Sequence, residues 1–252
     1  MLEELLRLNI FAFMMIFARV GTAVSFLPGF GSAYVSQRMR LSVALAISFA
    51  AMPLIAPNLP LPPSALPDLA IIIAGEMIIG SFIGLLARLL IATLQTTGTM
   101  IALSSAMANA LIQDPISEQQ SSTISGFLLT LGLIVIFVAD LHHLMIRSVV
   151  ESYQVFLPGN LLPAGDLVHM LARGVADSFT LGIQLASPAI VVGLTYYIGL
   201  GLLGRLMPQL PVFFFGLPVQ ISLQIWVLMV TVSGIMLVFT ERFRTAIGAF
   251  VP

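Results

Sequence analysis

Cysteine and lysine are absent from this sequence of 252 residues, and charged side chains of every kind are scarce. Without cysteine the chain has no disulfide, no thiol nucleophile and no cysteine-ligated metal. Charged residues make up 8% of the sequence, whereas soluble globular domains contain about 25%. The net charge is −1, so the chain has no electrostatic field that would attract nucleic acid. A soluble domain and a nucleic-acid-binding protein are therefore excluded.

Long hydrophobic segments take the place of the missing charge. Hydrophobic residues make up 59% of the sequence and the mean hydropathy is +1.08, while a membrane-spanning helix needs about 20 apolar residues. We therefore predict an all-α fold of helical hairpins like those of polytopic membrane proteins, forming a single integral membrane domain over residues 1–252. The six to seven hydrophobic segments, some with broken helices, cover residues 5–27, 41–55, 69–92, 93–112, 123–149, 178–203 and 219–239.

The boundaries of some segments lead to separate expectations. Residues 69–112 count either as two passes or as one broken element, which leaves the number of crossings open. Residues 123–149 are expected to form one long helix. Proline and glycine between residues 153 and 177 predict a turn and then a short amphipathic helix, separate from the next hydrophobic segment. Pro188 is expected to kink the helix over residues 178–203.

Two charged residues stand inside hydrophobic segments, where a charge is costly and normally has a partner inside the protein. They are Arg19 in the first segment and Glu76 in the third, and we predict that they pair in the folded chain. Gly80, Gly84 and Arg88 follow Glu76 at intervals of four residues, which on a helix gives a slowly drifting stripe. The stripe predicts close packing against another helix, with Arg88 as a further buried charge.

A helix with a polar face leads into a polar loop at residues 93–122. Residues 113–122 form a polar run between two hydrophobic segments. Lipid is a poor partner for such groups, and irregular backbone at membrane depth is tolerated only inside protein or beside water. We therefore expect this helix to pack against other subunits around a water-filled path that the loop lines or blocks. The polar residues of the helix are Thr96, Thr97, Thr99, Ser104, Ser105 and Asn109.

Polar residues also accumulate near the end of residues 123–149. Asp140, His143, Arg147 and Glu151 are spaced three, four and four residues apart and so share one helix face. Aspartate and histidine at this spacing can bind metal, but an HExxH motif is absent and no histidine beyond His142 lies close in sequence. A polar helix end at the membrane interface is the favoured interpretation, and we predict neither a metal site nor a cofactor.

The block RLMPQLPVFFFGLPVQ at residues 205–220 resembles a signature of the FliR (SctT) family, the export-gate proteins of type III secretion in the flagellum and the injectisome. Other features match in order along essentially the whole chain: Arg19 before PGFG, Glu76 with its glycines, SSAMA and DP within residues 104–115, Asp140 with two histidines, and Ser187-Pro188. Leu141 and Pro211 depart from the family pattern, where Gly and Asn are expected. The signature residues are Arg205, Pro208, Gln209, Phe213, Gly216 and Pro218.

The resemblance implies a subunit of the flagellar-type protein-export gate, without catalysis, in the bacterial inner membrane at the flagellar basal body. It implies FliP-like and FliQ-like subunits in a conical hetero-oligomer, FlhB-like and FlhA-like export proteins on the cytoplasmic side, unfolded secreted proteins as substrates, and surrounding membrane lipid. It also implies that a plug loop closes the channel. The candidate plug or gasket residues are Met107, Asn109, Gln113, Asp114, Pro115 and Glu118.

Some of these assignments have alternatives that the residues leave open. Met107 suits a deformable seal but equally suits ordinary core filling. Phe213, Phe214 and Phe215 cannot share one helix face, which suggests that at least one of them contacts a neighbouring subunit or the channel. Burial against another helix of this same chain is the favoured alternative. A secondary transporter of a small solute or ion is the alternative function, although no inverted repeat is recognisable. An intramembrane hydrolase lacks support, because the chain has neither a zinc signature nor a GxSxG motif.

Overall fold

Helices dominate the structure, a computed structural model that describes the backbone of residues 2–107, 111–113, 120–159, 164–209 and 211–250. It describes no side chain at residues 2–8, 111–113, 120, 121 and 213. The predicted all-α, membrane-protein-like fold is confirmed, with a 3-10 turn at Ala56–Asn58 and two short antiparallel strands, β1 Leu111–Gln113 and β2 Gln120–Ser122, as additions. The helices are α1 Leu2–Phe26, α2 Gln37–Ile55, α3 Leu66–Ser104, α4 Thr123–Val138, α5 Leu141–Val155, α6 Ala164–Leu206 and α7 Val212–Gly248.

Several of these helices are much longer than a bilayer is thick. α3 has 39 residues, α6 has 43 and α7 has 37. At a rise of about 1.5 Å per residue they extend over about 58, 64 and 55 Å, whereas the hydrocarbon core measures about 30 Å. Within the described ranges, five helices are long and apolar enough to cross a membrane, or six if the bent pair α4 and α5 counts as one span. The chain that we counted as one or two passes is thus a single helix as far as Ser104.

The predicted single helix over residues 123–149 is wrong, because the chain breaks between α4 and α5. The two helices are bent by 73°, and Asp140 between them adopts the left-handed conformation, with φ 57° and ψ 18°. A right-handed helix ends at a left-handed residue, and aspartate tolerates this conformation better than most side chains do. The hydropathy pattern does not reveal the break, since apolar residues flank Asp140 on both sides.

The prediction for residues 153–203 also needs correction, because α6 runs without interruption from Ala164 to Leu206. The expected short amphipathic helix and the following hydrophobic segment are one element. Gly174 lies at their junction, and a single glycine costs a helix only about 1 kcal/mol relative to alanine. Its neighbours Leu86 and Leu89 pack beside it, which offsets this cost. Pro188 lies inside the helix, and the kink expected there stays a prediction.

The chain divides into two compact units. Unit 1 comprises Met1–Leu89, Phe137–Gly174 and Phe243–Pro252, and unit 2 comprises Leu90–Ile136 and Val175–Arg242. Because α3, α6 and α7 each contribute residues to both units, neither unit corresponds to one continuous segment. The single domain predicted over residues 1–252 stays a prediction.

In unit 1, helices α1 and α3 approach closely at two glycines. A methyl group added at Gly80 would overlap the Arg19 carbonyl oxygen, and one at Gly84 would overlap Phe26. Buried apolar side chains, among them Met15 and Ile83, fill the space beside this contact. Any larger residue at either glycine would force the two helices apart.

In unit 2, large apolar side chains from α3, α4 and α7 meet in the core. Leu94 of α3, Leu128 of α4 and Phe239 of α7 are almost completely buried. Gly132 of α4 leaves room for Leu94, whose side chain would overlap an added methyl group. These side chains therefore hold α3, α4 and α7 together around Leu94.

Candidate functional site

A buried ion pair joins α1 and α3 in unit 1. Arg19 Nε donates to Glu76 Oε2 at 2.6 Å, and Arg19 Nη2 donates to Glu76 Oε1 at 3.0 Å. The two side chains are 0% and 2% exposed. This two-bond geometry matches the planar guanidinium to the carboxylate, and the bonds are charge-assisted. The pairing of Arg19 with Glu76 that the sequence predicts is present.

The end of α5 completes the surroundings of Arg19. Its Nη1 donates to Ser152 Oγ at 3.2 Å, and its Nη2 also donates to the Phe156 carbonyl at 3.0 Å. The Tyr153 ring lies over the guanidinium, 3.7 Å from its carbon Cζ, in a cation–π contact. We call Arg19, Glu76, Ser152, Tyr153 and Phe156 the charge cluster. It ties three helices of unit 1 to one permanent positive charge.

The last turn of α3 forms a second polar site, in unit 2. Gln220 Nε2 on α7 donates to the Ser104 carbonyl at 2.8 Å, and Gln224 Nε2 donates to the Ala189 carbonyl on α6 at 3.0 Å. Both glutamines are buried. We call Ser104, Ala189, Gln220 and Gln224 the glutamine cluster. It holds the end of α3 and the middle of α6 against α7.

Backbone geometry stops α3 immediately after this contact. Ala106 is left-handed, with φ 57°, and the Met107 amide donates to the Ala102 carbonyl at 3.0 Å. This bond pattern is typical of a Schellman ending, which normally has glycine at the left-handed position. Alanine there costs about 1 kcal/mol or more. The helix end is therefore held in a strained conformation at the start of the polar loop.

Part of the polar face of α3 is used within this chain. Thr97 Oγ1 lies 3.2 Å from the Gly182 carbonyl of α6. Ser125 of α4 bonds Thr99 at 3.0 Å and the Gln95 carbonyl at 2.9 Å. Thr97 is buried within this chain beside α6, and the expectation that the helix packs against other subunits stays a prediction. Thr99 remains exposed.

Comparison with known proteins identifies the family. The model of a family described as bacterial export proteins, family 1, matches residues 10–246. A flagellar biosynthetic protein FliR from Caulobacter vibrioides is 36% identical over 236 residues, which cover 94% of each chain. The chain belongs to the FliR family. Flagellar biosynthetic proteins FliR from Bacillus subtilis and Aquifex aeolicus are both 27% identical, over 241 and 237 residues, which cover 94% and 90% of this chain and 92% and 88% of theirs.

The loop residues proposed as a plug in this FliR-family chain lie mostly outside the described residues. Asn109, Asp114, Pro115 and Glu118 are outside them. Met107 is half-buried beside the end of α3. Gln113 is the last residue of β1, and its backbone pairs with Gln120 of β2. The sequence did not predict this ladder, since three residues are too few for a recognisable strand pattern.

The FliR signature block divides between exposed and buried positions. Arg205, Pro208 and Gln209 are exposed at the end of α6 and in the connection that follows. The other three signature residues belong to α7. Gly216 is buried and Pro218 is exposed, whereas the side chain of Phe213 is not described. Tyr196 of α6 donates to the Gly216 carbonyl at 2.7 Å, so this glycine anchors the start of α7. Phe214 and Phe215 are 81% and 71% exposed on this chain.

One predicted member of the glycine stripe is displaced from it. Arg88 is exposed, so the prediction of a third buried charge is wrong. Each step of four residues turns a helix by about 40° beyond a full turn, and three steps place Arg88 about 120° from Glu76.

The sequence analysis missed the glutamine cluster. The signal that could have revealed it is a pair of glutamines four residues apart in the apolar α7. Neither the FliR-family match nor the described side chains give a positive indication of catalysis.

Proposed function

We propose that this protein is a subunit of the flagellar-type protein-export gate and that it helps to form and close the channel for unfolded export substrates. The observation that carries the proposal is the family match over residues 10–246, supported by relatives named flagellar biosynthetic protein FliR. The inner membrane, at the flagellar basal body, is the proposed location. The proposed partners are FliP-like and FliQ-like gate subunits, with FlhB-like and FlhA-like export proteins on the cytoplasmic side.

The length of the apolar helices supports assembly with other subunits. α3 has 39 residues and is mainly apolar, with most of its polar side chains in the half that ends at Ser104. To lie within a core about 30 Å thick it would have to tilt by about 60°, whereas membrane helices tilt by about 20° on average. A less tilted α3 leaves apolar surface beyond the lipid, and other protein has to cover it. Phe214 and Phe215, exposed on α7, are further surface that suits a neighbouring subunit.

The arrangement around the end of α3 supports a closing role for the loop after it. Gln220 fixes the last turn of α3, and Ala106 ends the helix sharply. The β1–β2 ladder then brings the chain back to α4. A loop held at both ends by a fixed frame suits a plug that moves while its supports stay in place. In this proposal Met107 and the polar residues from Asn109 to Glu118 seal the channel.

The experiment is a deletion of residues 113–122 in the assembled gate. Export complexes are reconstituted in vesicles, and leakage of ions and a small dye is measured together with the subunits that co-purify. We expect assembly to stay largely intact and leakage to increase, although the deletion also removes β2 and the Ser122 hydroxyl that accepts from the Ser125 amide. The matched control deletes residues 61–64, which lie in the extended connection between α2 and α3, and should leave leakage unchanged. Unchanged leakage from a fully assembled deletion variant would contradict the closing role.

A separate measurement tests membership of the gate. We expect the chain to purify as part of a larger hetero-oligomer. Isolation as a stable homo-oligomer without other subunits would contradict the proposal. The alternative of a secondary transporter gains no support from the charge cluster, because Arg19 and Glu76 neutralise each other and Arg19 also bonds to Ser152 on α5. Their charges are thus engaged within the fold and unavailable to couple a solute.

A further inference from the structure

Three potential metal ligands converge at the break between α4 and α5. Asp140, His142 and His143 each offer one ligand atom, and these atoms all lie within 4.8 Å of one another. All three belong to unit 1. The sequence pattern favoured a polar helix end here, with Asp140 and His143 on one face. The break also brings His142 next to Asp140 and His143. The spacing of these residues on a continuous helix did not predict this.

Asp140 is free to act as a ligand because it does not perform the usual task of its position. It precedes the first residue of α5, where an aspartate side chain normally accepts a backbone hydrogen bond. Among the described residues the Asp140 side chain makes no such bond, and its backbone is left-handed instead of extended. Its carboxylate is 78% exposed and lies 3.5 Å from Nδ1 of His143, which is 72% exposed. At that distance the two groups are close without forming a good hydrogen bond.

His142 is held in place by aromatic rings. Its ring stacks on Phe137 with centroids 5.1 Å apart, and Phe137 in turn packs against Phe30 at 6.0 Å. The ring of His143 lies 4.0 Å from that of His142. His142 Nδ1 is buried and has no hydrogen-bond partner among the described residues. A buried polar atom without a partner is costly, and a cation bound at this nitrogen would satisfy it.

We propose that Asp140, His142 and His143 bind one divalent first-row transition-metal ion at the start of α5, with Zn²⁺ as the reference case. Two imidazoles and one carboxylate suit Zn²⁺, Co²⁺ or Ni²⁺, whereas Mg²⁺ and Ca²⁺ prefer all-oxygen sites. Three protein ligands leave a fourth position open for water or a neighbouring group.

The geometry needs only a small contraction to bind such an ion. Zinc bonds of about 2.0–2.2 Å in a tetrahedron place neighbouring ligand atoms about 3.3–3.5 Å apart. The exposed side chains of Asp140 and His143 can rotate to close the remaining gap, while His142 stays fixed on Phe137. The positive end of the α5 dipole opposes a cation here, and the Asp140 carboxylate offsets that effect.

The experiment uses Co²⁺ as a spectroscopic probe and Zn²⁺ as the competing ion. The full-length chain is purified in detergent without a histidine tag and freed of metal with a chelator. We expect one Co²⁺ per chain to bind saturably, to show the visible bands of a low-coordinate site, and to be displaced by Zn²⁺. Zn²⁺ should also raise the temperature of unfolding, because it binds only the folded site.

Matched variants identify the ligands. Asp140→Asn keeps the tolerance for the left-handed conformation, and His143→Gln replaces an exposed side chain, so both should fold. Each should weaken Co²⁺ binding by about tenfold or more and abolish the Zn²⁺-dependent rise in unfolding temperature. The control is His169→Gln, which changes the remaining histidine of the chain, exposed on α6, and should bind as the original does. Absence of saturable binding, or equal binding by all three variants, would overturn the proposal.

Discussion

The charge cluster of unit 1 and the glutamine cluster of unit 2 perform similar tasks with different chemistry. Arg19 donates through Nε, Nη1 and Nη2 to a carboxylate, a hydroxyl and a carbonyl. Gln220 and Gln224 each donate one neutral bond, and their Oε1 atoms are buried without a partner among the described residues. Charge-assisted bonds are roughly twice as strong as neutral ones. Breaking a hydrogen bond of the charge cluster therefore costs more free energy than breaking one of the glutamine cluster.

The largest loss of stability is expected when the charge cluster loses one of its two charges. Glu76→Ala leaves Arg19 buried and uncompensated, which should lower the free energy of unfolding by roughly 3–5 kcal/mol. Thermal unfolding in detergent and the amount of assembled chain in the membrane measure this loss.

The double variant Arg19→Met, Glu76→Leu sharpens that test. Replacing both partners by apolar residues removes the uncompensated charge and should restore most of the lost stability. A double variant as unstable as Glu76→Ala would show that the charge itself is not the cause.

A smaller effect is expected in the glutamine cluster. Gln220→Ala removes one neutral bond to the last turn of α3 and should cost about 1 kcal/mol. If the gate closes through the following loop, this variant should also leak, though less than the loop deletion. The control is Gln224→Ala, which loses the bond to Ala189 on α6 and should show a similar loss of stability without the leak. Equal leakage from both variants would show that the leak does not depend on the contact between Gln220 and α3.

Ala106→Gly should act in the opposite direction. Glycine adopts the left-handed conformation without the steric cost that alanine bears, so the variant should gain about 1 kcal/mol in unfolding free energy. Ala102→Gly, inside α3, should instead lose about 1 kcal/mol. The two unfolding temperatures should therefore move apart. A loss in both variants would argue against strain at Ala106.

The smallest effect is expected at an ion pair whose arginine is exposed. Arg147 Nε lies 2.5 Å from Glu151 Oε1 on α5, and the two side chains are 64% and 16% exposed. Arg147→Ala should cost about 0.5–1 kcal/mol, because solvent screens the charge of the arginine. The same unfolding assay compares it with Glu76→Ala. A similar loss in both would mean that burial does not distinguish the two pairs.

The sequence predicted the part of the charge cluster that carries charge. Arg19 and Glu76 stand in apolar segments, and a charge there requires a partner. Ser152 and Phe156 were not predictable, because they are 133 and 137 residues from Arg19 and a serine hydroxyl or a backbone carbonyl has no distinctive sequence pattern. Their position depends on the break at Asp140, which hydropathy does not show.

The end of α3 illustrates a different limit. Helices commonly end at glycine, and Ala106 gives no such signal. Tertiary contacts from Gln220, 116 residues from Ser104, fix this end instead. The predicted membrane class and helical fold were secure, since composition and long apolar runs determine them. Helix boundaries were not, because they depend on single residues whose conformation the rest of the fold imposes.

The short β1–β2 ladder also determines how far the intervening loop can reach. Its three residue pairs form a stem of about 10 Å at about 3.3 Å per residue. If the pairs separated, the twelve residues from 111 to 122 could extend about 20 Å from their two fixed ends. Each pair that separated would lengthen the free chain, so the reach of the loop depends on how many of the three pairs are formed. The ladder thus sets the length of free chain available next to the end of α3.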